Sequence, residues 1–358
     1  MKKCLLSCII LYMKQSKFFH YFPIPTFLAM KDVGLSIDNS CVRFIEIVDS
    51  DEKVTVTKYG TVEFPPQAII EGEIVNTEGV KAALTSIRTQ HGIHFSQFAL
   101  PDDKVYVFKL RLPSIPENEV KSALEFKIDE NIPLAAPEAI FDYVIVGNQD
   151  SLGIDVVVSA VARNTSQAYN ELLKASGIQP LHFGLESQAI ANAVVPHLET
   201  GTFIIINFFP HKTTISIVEK NVVQFSLSLR KEGITEASTG NESFVSGNGA
   251  AESTVPPKYL SGIRQELERV LNYWHDKSAM KGSDWNYKVI ICGAEALNPA
   301  FVESFSKLIE TPVLVANPWC NVYPDETHVP PISKEESFKY AAAIGLAIGN
   351  RITPHTND

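Results

Sequence analysis

Two segments of the sequence repeat one plan of three consecutive strands, and this repeat limits the folds open to the chain. The first copy runs from residue 33 to residue 64, and the second runs from residue 202 to residue 229. Both are apolar and β-branched, and both have a short polar loop after the first strand. A unit that recurs about 170 residues further along indicates internal duplication. The sequence therefore predicts two lobes, each built on a β-β-β unit.

The loop between the first two strands is short and polar. Its flanking strands are predicted at Val33–Ile37 and Val42–Ile47, and its residues are Asp38, Asn39 and Ser40. Such side chains bond readily to their own backbone and tolerate left-handed conformations. Two interpretations remain open: an ordinary hairpin turn, which is common in all proteins, and a hairpin whose backbone amides face a phosphate. Taken alone, the loop favours the ordinary hairpin.

The rest of the first half predicts a helix followed by a small α/β unit. Residues 77–91 have helical spacing of apolar side chains, with Thr77 as a candidate N-cap and Gly92 as the end. The further predicted elements are a strand pair around a Pro-Asp-Asp turn at 98–112, a helix at 116–132, strands at 139–146 and 154–161, and helices at 166–176 and 185–194. We expect residues from about 98 to 180 to form an inserted subdomain.

The second half contains one long segment that is poor in apolar residues. Residues 232–257 are rich in Gly, Ser, Thr, Asn and Glu, and we expect them to form a flexible loop. The predicted elements are strands at 202–206, 213–218 and 222–229, a long helix at 259–280, a strand at 289–292, a helix at 299–309, a short strand at 313–315 and a last helix at 337–348.

Composition excludes several classes of protein. A hydrophobic fraction of 45% and a charged fraction of 20% are those of an ordinary globular chain. The formal net charge of -10 argues against a general nucleic-acid or anionic-membrane surface. The five cysteines are scattered and lack CxxC spacing, which indicates reduced thiols in a cytoplasmic compartment.

Residues 1–29 form an N-terminal extension with a short apolar run. The run from Cys4 to Met13 follows two lysines, and it is shorter than the roughly 20 apolar residues that span a bilayer. A signal peptide has such a run, but no small-x-small cleavage site follows before Lys14. We expect a later start, at Met13 or Met30, or a disordered tail rather than secretion.

No motif predicts a catalytic or metal site. His91 and His94 flank Gly92, which breaks helices, so we expect them in a solvated turn. Asp102 and Asp103 are interpreted as turn formers. Ser187 has no neighbouring base motif, so a hydrolase is not supported.

Seven motifs stand in a specific order and spacing along the chain. They are VGLSIDNSCVRFIEI, LPDDKVYVFKLRLP, FKIDENIPLAAPEAIFDYVIVG, SAVARNTSQAYNELLKASGIQPLHFGLESQAIANAV, IRQELERVLNYW, VIICGAEALNPAFVESFSKLIETPVLVANPW and KYAAAIGLAIGN. Together they resemble the PilM family, actin-like proteins of type IV pilus assembly that are similar to FtsA, and the resemblance covers about residues 22–350.

The resemblance implies an α/β, actin-like (RNase H-like) two-lobed fold of duplicated β-β-β-α-β-α units with a nucleotide cleft between the lobes. The expected boundaries are a first lobe at 30–199, a second lobe at 200–334, a C-terminal helix at 335–350 that returns to the first lobe, and a tail at 351–358. The implied nucleotide-binding positions are Ser36, Asn39, Ser40, Asn207, Thr213, Gly293 and Ala294. We expect no catalytic residue and no protein-bound metal.

Four positions depart from the family pattern at the phosphates. Ser36 and Asn207 stand where the family has acidic residues that hold magnesium through water, and Asp38 and Phe209 stand where it has glycines. Asp38 would place a negative charge beside a negatively charged phosphate. Two like charges 4 Å apart repel by roughly 1 kcal/mol in water and about 4 kcal/mol at an effective dielectric of 20. We therefore expect weak or no binding of ATP and magnesium, and no hydrolysis.

The function implied is a cytoplasmic scaffold, peripheral to the inner membrane, that binds the cytoplasmic tail of a PilN-like bitopic inner-membrane protein. The expected mode is an extended peptide in a groove of the first lobe. Pilus motor or platform proteins are further candidate partners, self-association stays open, and no nucleic acid is expected. The alternative is an ATP-binding actin-like switch or filament protein, similar to FtsA. An FtsA-like protein would need a C-terminal amphipathic membrane helix, and the C-terminal RITPHTND is not one.

Overall fold

The computed structural model describes residues 32–50, 53–146, 153–230, 257–277, 286–323 and 330–352. The predicted N-terminal extension, the predicted flexible loop except for Pro257, and tail residues 353–358 lie outside the described residues. The described strands are β1 (Asp32–Ile37), β2 (Cys41–Ser50), β3 (Lys53–Glu63), β4 (Ile69–Ile70), β5 (Glu73–Ile74), β6 (Phe95–Leu100), β7 (Val105–Leu112), β8 (Ala139–Ile145), β9 (Ile154–Ala162), β10 (Gln179–Leu185), β11 (Thr202–Phe208), β12 (Lys212–Glu219), β13 (Val222–Arg230), β14 (Tyr287–Gly293) and β15 (Val313–Val315). The described α-helices are α1 (Thr77–His91), α2 (Glu117–Asn131), α3 (Arg163–Ala175), α4 (Glu186–Val194), α5 (Pro257–Lys277), α6 (Pro299–Leu308), α7 (Lys334–Ser337) and α8 (Ala341–Ile352).

Two five-stranded sheets share one topology. The first has the order β10-β6-β1-β2-β3, and the second has the order β13-β12-β11-β14-β15. In each sheet the first three strands along the chain are antiparallel, and the last two run parallel to the first. The predicted duplication and the two-lobed α/β fold are therefore confirmed.

A three-stranded sheet interrupts the first lobe. Its order is β7-β9-β8, and apolar side chains of α2, including Val120 and Leu124, pack against it. The predicted strand pair at 98–112 was wrong, because β6 belongs to the lobe sheet whereas β7 pairs with β9. The turn at Asp102–Lys104 separates the two strands, and the buried Asp102 in this turn accepts two hydrogen bonds from Ser187.

Two smaller differences from the predictions have local causes. Strand β10 was missed because it lacks apolar alternation: Leu181 and His182 are adjacent, and both are exposed. Helix α1 is capped by Asn76 rather than Thr77, since the Asn76 side chain accepts a hydrogen bond from the backbone N–H of Gly79 at 3.0 Å. The predicted end of α1 at Gly92 is confirmed by its left-handed conformation.

Helix α8 lies against β1 and α4, and glycines allow this close approach. A Cβ atom on Gly34 would lie 1.9 Å from the carbonyl oxygen of Ala343. A Cβ atom on Gly345 would lie 1.6 Å from the carbonyl oxygen of Ala189. The core of the second lobe continues through α4 and α8, so the C-terminal helix joins the cores of the two lobes.

Candidate functional site

The first hairpin of each lobe contributes its loop to one narrow cleft. The backbone N–H of Asp38 donates to the carbonyl of Cys41 at 3.0 Å, and the N–H of Phe209 donates to the carbonyl of Lys212 at 2.9 Å. Both loops thus close in the same way around two residues. A cavity of about 40 Å³ lies between the loops, and a second one of about 20 Å³ adjoins them.

In the first hairpin, the Asp38 carboxylate fills the loop. Its Oδ1 accepts the backbone N–H groups of Ser40 and Cys41 at 2.8 and 2.9 Å, and its Oδ2 accepts from Arg43 Nη1 at 2.6 Å. Burial alone would raise the pKa of Asp38, but the Arg43 guanidinium and these amides outweigh it and lower the pKa below its ordinary value. The loop therefore already holds an anion.

In the second hairpin, Lys212 bridges two carboxylates. Its Nζ lies 2.8 Å from Asp103 Oδ2 and 2.9 Å from Glu186 Oε2, and it lies 5.0 Å from the centroid of the Phe209 ring. Burial opposes the charge on the ammonium, but Glu186 and Asp103 outweigh it and raise the pKa of Lys212. Because Asp103 follows β6 of the first lobe and Lys212 begins β12 of the second, this bridge joins the lobes.

Asp102 lies behind the bridge and is more than a turn former. Its Oδ1 accepts hydrogen bonds from the backbone N–H and the hydroxyl of Ser187 at 3.1 and 3.0 Å, while its Oδ2 has no partner among the described residues. Burial, followed by the nearby Glu186 carboxylate, raises the pKa of Asp102 to about 7. Asp102 and Asp103 lie in a turn, as interpreted from the sequence, and Asp103 in addition pairs with Lys212 of the second lobe.

The predicted nucleotide-binding residues divide into two groups. Those that line the small cavities are Ser36, Asn39, Ser40 and Asn207. The others, Thr213, Gly293 and Ala294, line neither cavity. Thr213 is fully buried opposite Phe208, and Gly293 has a φ of 103° at a point where a Cβ would lie 2.2 Å from the Phe208 carbonyl oxygen. Their role in nucleotide binding stays a prediction.

The residues of this cleft do not fit a magnesium nucleotide as they are arranged. Pockets for small ligands have volumes of about 300–1,000 Å³, far above the 40 and 20 Å³ found here. Magnesium is bound by carboxylates together with water and phosphate, but Asp103 and Glu186 are already paired with Lys212. The amides that would face a phosphate bind Asp38 instead.

Sequence reasoning identified Asp38 and Phe209 but missed the bridge. Lys212 follows the second loop at the position that Cys41 has after the first loop. Alignment of the two repeats shows this correspondence. The proximity of Glu186 to Lys212, in contrast, depends on how the two lobes pack. Within the described parts of the chain, no cluster of acidic, His or Cys side chains forms a metal site.

Outside the cleft, the first lobe has a groove along β7 and two outermost strands, β8 and β10. A larger cavity, of about 430 Å³, lies along β7 and is lined by residues of β7, α2 and α5, including Lys109, Arg111 and Trp274. Strands β8 and β10 are also outermost in their sheets. The carboxylate of Asp142 on β8 interacts electrostatically with the imidazole of His182 on β10, so these two edges lie near one another.

Comparison with known proteins places the chain in a family. A family model described as type IV pilus assembly protein PilM matches residues 34–228, which is 195 of the 358 residues. No helix among the described residues is long and apolar enough to cross a bilayer.

One solved structure shares the fold, and a second is less similar. A chain of a PilM-PilN type IV pilus biogenesis complex superimposes with a TM-score of 0.69 at 17% identity, covering 90% of this chain and 98% of that chain. The cytoplasmic domain of EpsL, from the type II secretion system of Vibrio cholerae, gives a TM-score of 0.47 at 9% identity, covering 87% of this chain and 93% of that one. The predicted resemblance is confirmed: the chain belongs to the PilM family of type IV pilus assembly proteins.

Proposed function

We propose that this chain is a non-catalytic scaffold of a type IV pilus or related machine, located at the cytoplasmic face of the inner membrane. It binds the cytoplasmic tail of a PilN-like bitopic membrane protein and is held at the membrane through that partner. The observation that carries the proposal is membership of the PilM family, and the match to a chain from a PilM-PilN complex supports it.

The open edges of β8 and β10 offer a place for an extended peptide. Each strand is paired on one side within its described sheet, so its other edge can accept backbone hydrogen bonds from an added strand. Apolar side chains line both edges: Leu181 on β10 is 37% exposed, and Ile140 and Val144 on β8 are 38% and 41% exposed. Backbone bonds would supply affinity there, and these side chains would supply specificity.

Strand β3, which is outermost in the lobe sheet, is a poorer candidate. The Tyr59 hydroxyl of β3 donates to the carbonyl of Pro331 at 3.2 Å, and Thr61 bonds the Tyr340 hydroxyl at 2.9 Å. One face of β3 is therefore covered by the chain itself. Strand β8 of the insert and strand β10 of the lobe sheet are therefore the better candidates for pairing with an added peptide.

The test uses the full chain and a synthetic, fluorescently labelled peptide of the cytoplasmic tail of the PilN-like protein from the same genome. Anisotropy titration is expected to show saturable binding that weakens at least about tenfold in Leu181→Asp and Val144→Asp. Leu314→Asp is the matched control, because Leu314 is a similarly exposed (49%) apolar residue on an outer strand of the second lobe.

Two results would contradict this proposal. If the tail does not bind the wild-type chain, the scaffold function is refuted. If Lys109→Glu abolishes binding while Leu181→Asp leaves it unchanged, the tail lies in the groove along β7, and the position at β8 and β10 is wrong.

A further inference from the structure

We propose that Asp38 and Lys212 are built-in ligands that take the places of a nucleotide's phosphate and its divalent cation, so that the two lobes close on each other without any bound ligand. This goes beyond the scaffold function, which does not itself require the cleft to be closed or empty.

The anionic half of the proposal rests on the first hairpin. Two backbone N–H groups and one guanidinium converge on the Asp38 carboxylate, and such a set of donors is also what binds a phosphate oxygen. A carboxylate on the same loop has a high effective concentration, because it is tethered. A free phosphate must therefore displace Asp38 before it can reach the amides of Ser40 and Cys41.

The cationic half rests on the second hairpin. The ammonium of Lys212 lies between two carboxylates, one after β6 and one at the start of α4. All three side chains are largely withdrawn from solvent, with exposures of 15% for Lys212, 17% for Asp103 and 6% for Glu186. Charged groups in such a dry site are weakly screened. The Lys212 ammonium therefore holds two carboxylates together, as a divalent cation would, and links the two lobes.

Phe209 completes the closure. It occupies in the second hairpin the position that Asp38 occupies in the first, and it lines both small cavities. Its ring contacts the Lys212 ammonium, an arrangement that is attractive for a cation over an aromatic face. A bulky side chain thus fills space where a phosphate-binding loop requires a close approach of backbone.

The anionic half is tested by thermal unfolding of the full chain with inorganic phosphate or with ATP and magnesium. We expect no shift of the midpoint Tm for the wild type. Asp38→Gly removes the tethered carboxylate and is expected to raise Tm in a phosphate-dependent manner, whereas Asp38→Asn keeps an acceptor in the loop and is expected to show no such shift. Glu125→Ala is the control, because it removes an exposed carboxylate on α2.

The cationic half is tested by small-angle X-ray scattering without ligand. Lys212→Met is expected to increase the radius of gyration as the lobes separate, and Asp103→Asn, which keeps a one-to-one pair of Lys212 with Glu186, is expected to change it little. If Lys212→Met unfolds under the same conditions, Asp103→Asn serves as the folded reference. Cross-linking of the two lobes by a short bifunctional reagent then replaces scattering.

Each half can fail separately. A wild-type Tm that rises with ATP and magnesium as much as that of Asp38→Gly overturns the proposal, as does a folded Asp38→Gly variant that gains no response to phosphate. An unchanged radius of gyration in folded Lys212→Met overturns the role of the bridge. None of these outcomes depends on tail binding, so they are distinguishable from failure of the scaffold function.

Discussion

Replacing Lys212 by methionine removes the ammonium of the bridge while keeping an unbranched side chain of similar length. The two carboxylates that remain, Asp103 and Glu186, then lie close together without a cation between them. Removing one partner of a buried ion pair costs about 3–5 kcal/mol, because an uncompensated charge stays buried. Since the Glu186 side chain is only 6% exposed, we expect a loss in this range at pH 8.

The pH dependence of this loss provides a second measurement. Without the ammonium, burial and the nearby Asp103 carboxylate raise the folded-state pKa of Glu186 further above its unfolded value of about 4. The folded state then binds more protons than the unfolded state, so its stability falls as pH rises from about 4 towards the raised value. Lys212→Met should therefore be closer to wild type at pH 5 than at pH 8.

Urea unfolding followed by circular dichroism measures both effects. The double variant Lys212→Met with Glu186→Gln removes the more deeply buried of the two uncompensated charges and should recover part of the loss. Together with the two single variants it gives the coupling of Lys212 with Glu186 by a double-mutant cycle. A loss below about 1 kcal/mol at pH 8, or a loss that does not change between pH 5 and pH 8, would show that the bridge is solvated and contributes little.

Further predictions concern Asp102 and two helical glycines. The pKa of Asp102 is raised to about 7, so the wild type loses stability as pH rises from about 4 to about 7. Asp102→Asn keeps an acceptor for Ser187 and should raise the free energy of unfolding at pH 8 by on the order of 1 kcal/mol or more, with a smaller gain at pH 5. Gly345→Ala places a Cβ 1.6 Å from a backbone oxygen of α4 and should destabilise by about 1–3 kcal/mol, whereas Gly262→Ala in α5 meets nothing within 4 Å and should stabilise by up to about 1 kcal/mol. Urea unfolding measures each of these changes in stability. If Gly345→Ala has no effect on stability, α8 is not in close contact with α4. If the effect of Asp102→Asn does not depend on pH, Asp102 is ionised at both pH values.

The fold was predictable because its main signal is local and repeated. Alternating apolar residues with short polar loops define the antiparallel strands, and the second copy at 202–229 showed that the pattern is duplicated. Helices such as α1 and α2 have apolar residues at a period of 3.6 with clear ends. Strand β10 was missed because its edge position leaves it without an apolar pattern.

The candidate site was predictable only in part, because half of it depends on contacts distant in sequence. Asp38 and Phe209 stand out within their own loops. Lys212 and Asp103 are 109 residues apart, and no periodicity indicates that they meet. Ion pairs between elements of different lobes follow from lobe packing, which a single sequence does not encode in any local pattern.

The proposed peptide edge and the bridge between the lobes share one segment of the chain. Strand β10 ends at Leu185, and the next residue, Glu186, begins α4 and binds Lys212. A tail added to β10 would order the backbone that leads directly into this carboxylate. Two events that order the same segment are coupled, and the coupling is reciprocal. We therefore expect Lys212→Met to weaken tail binding by at least about fivefold, at the lower end of typical coupling energies, while Asp38→Asn, on the opposite loop, leaves it unchanged. Equal tail affinities of the wild type and folded Lys212→Met, measured by anisotropy, would show that the edge of β10 and the bridge act independently.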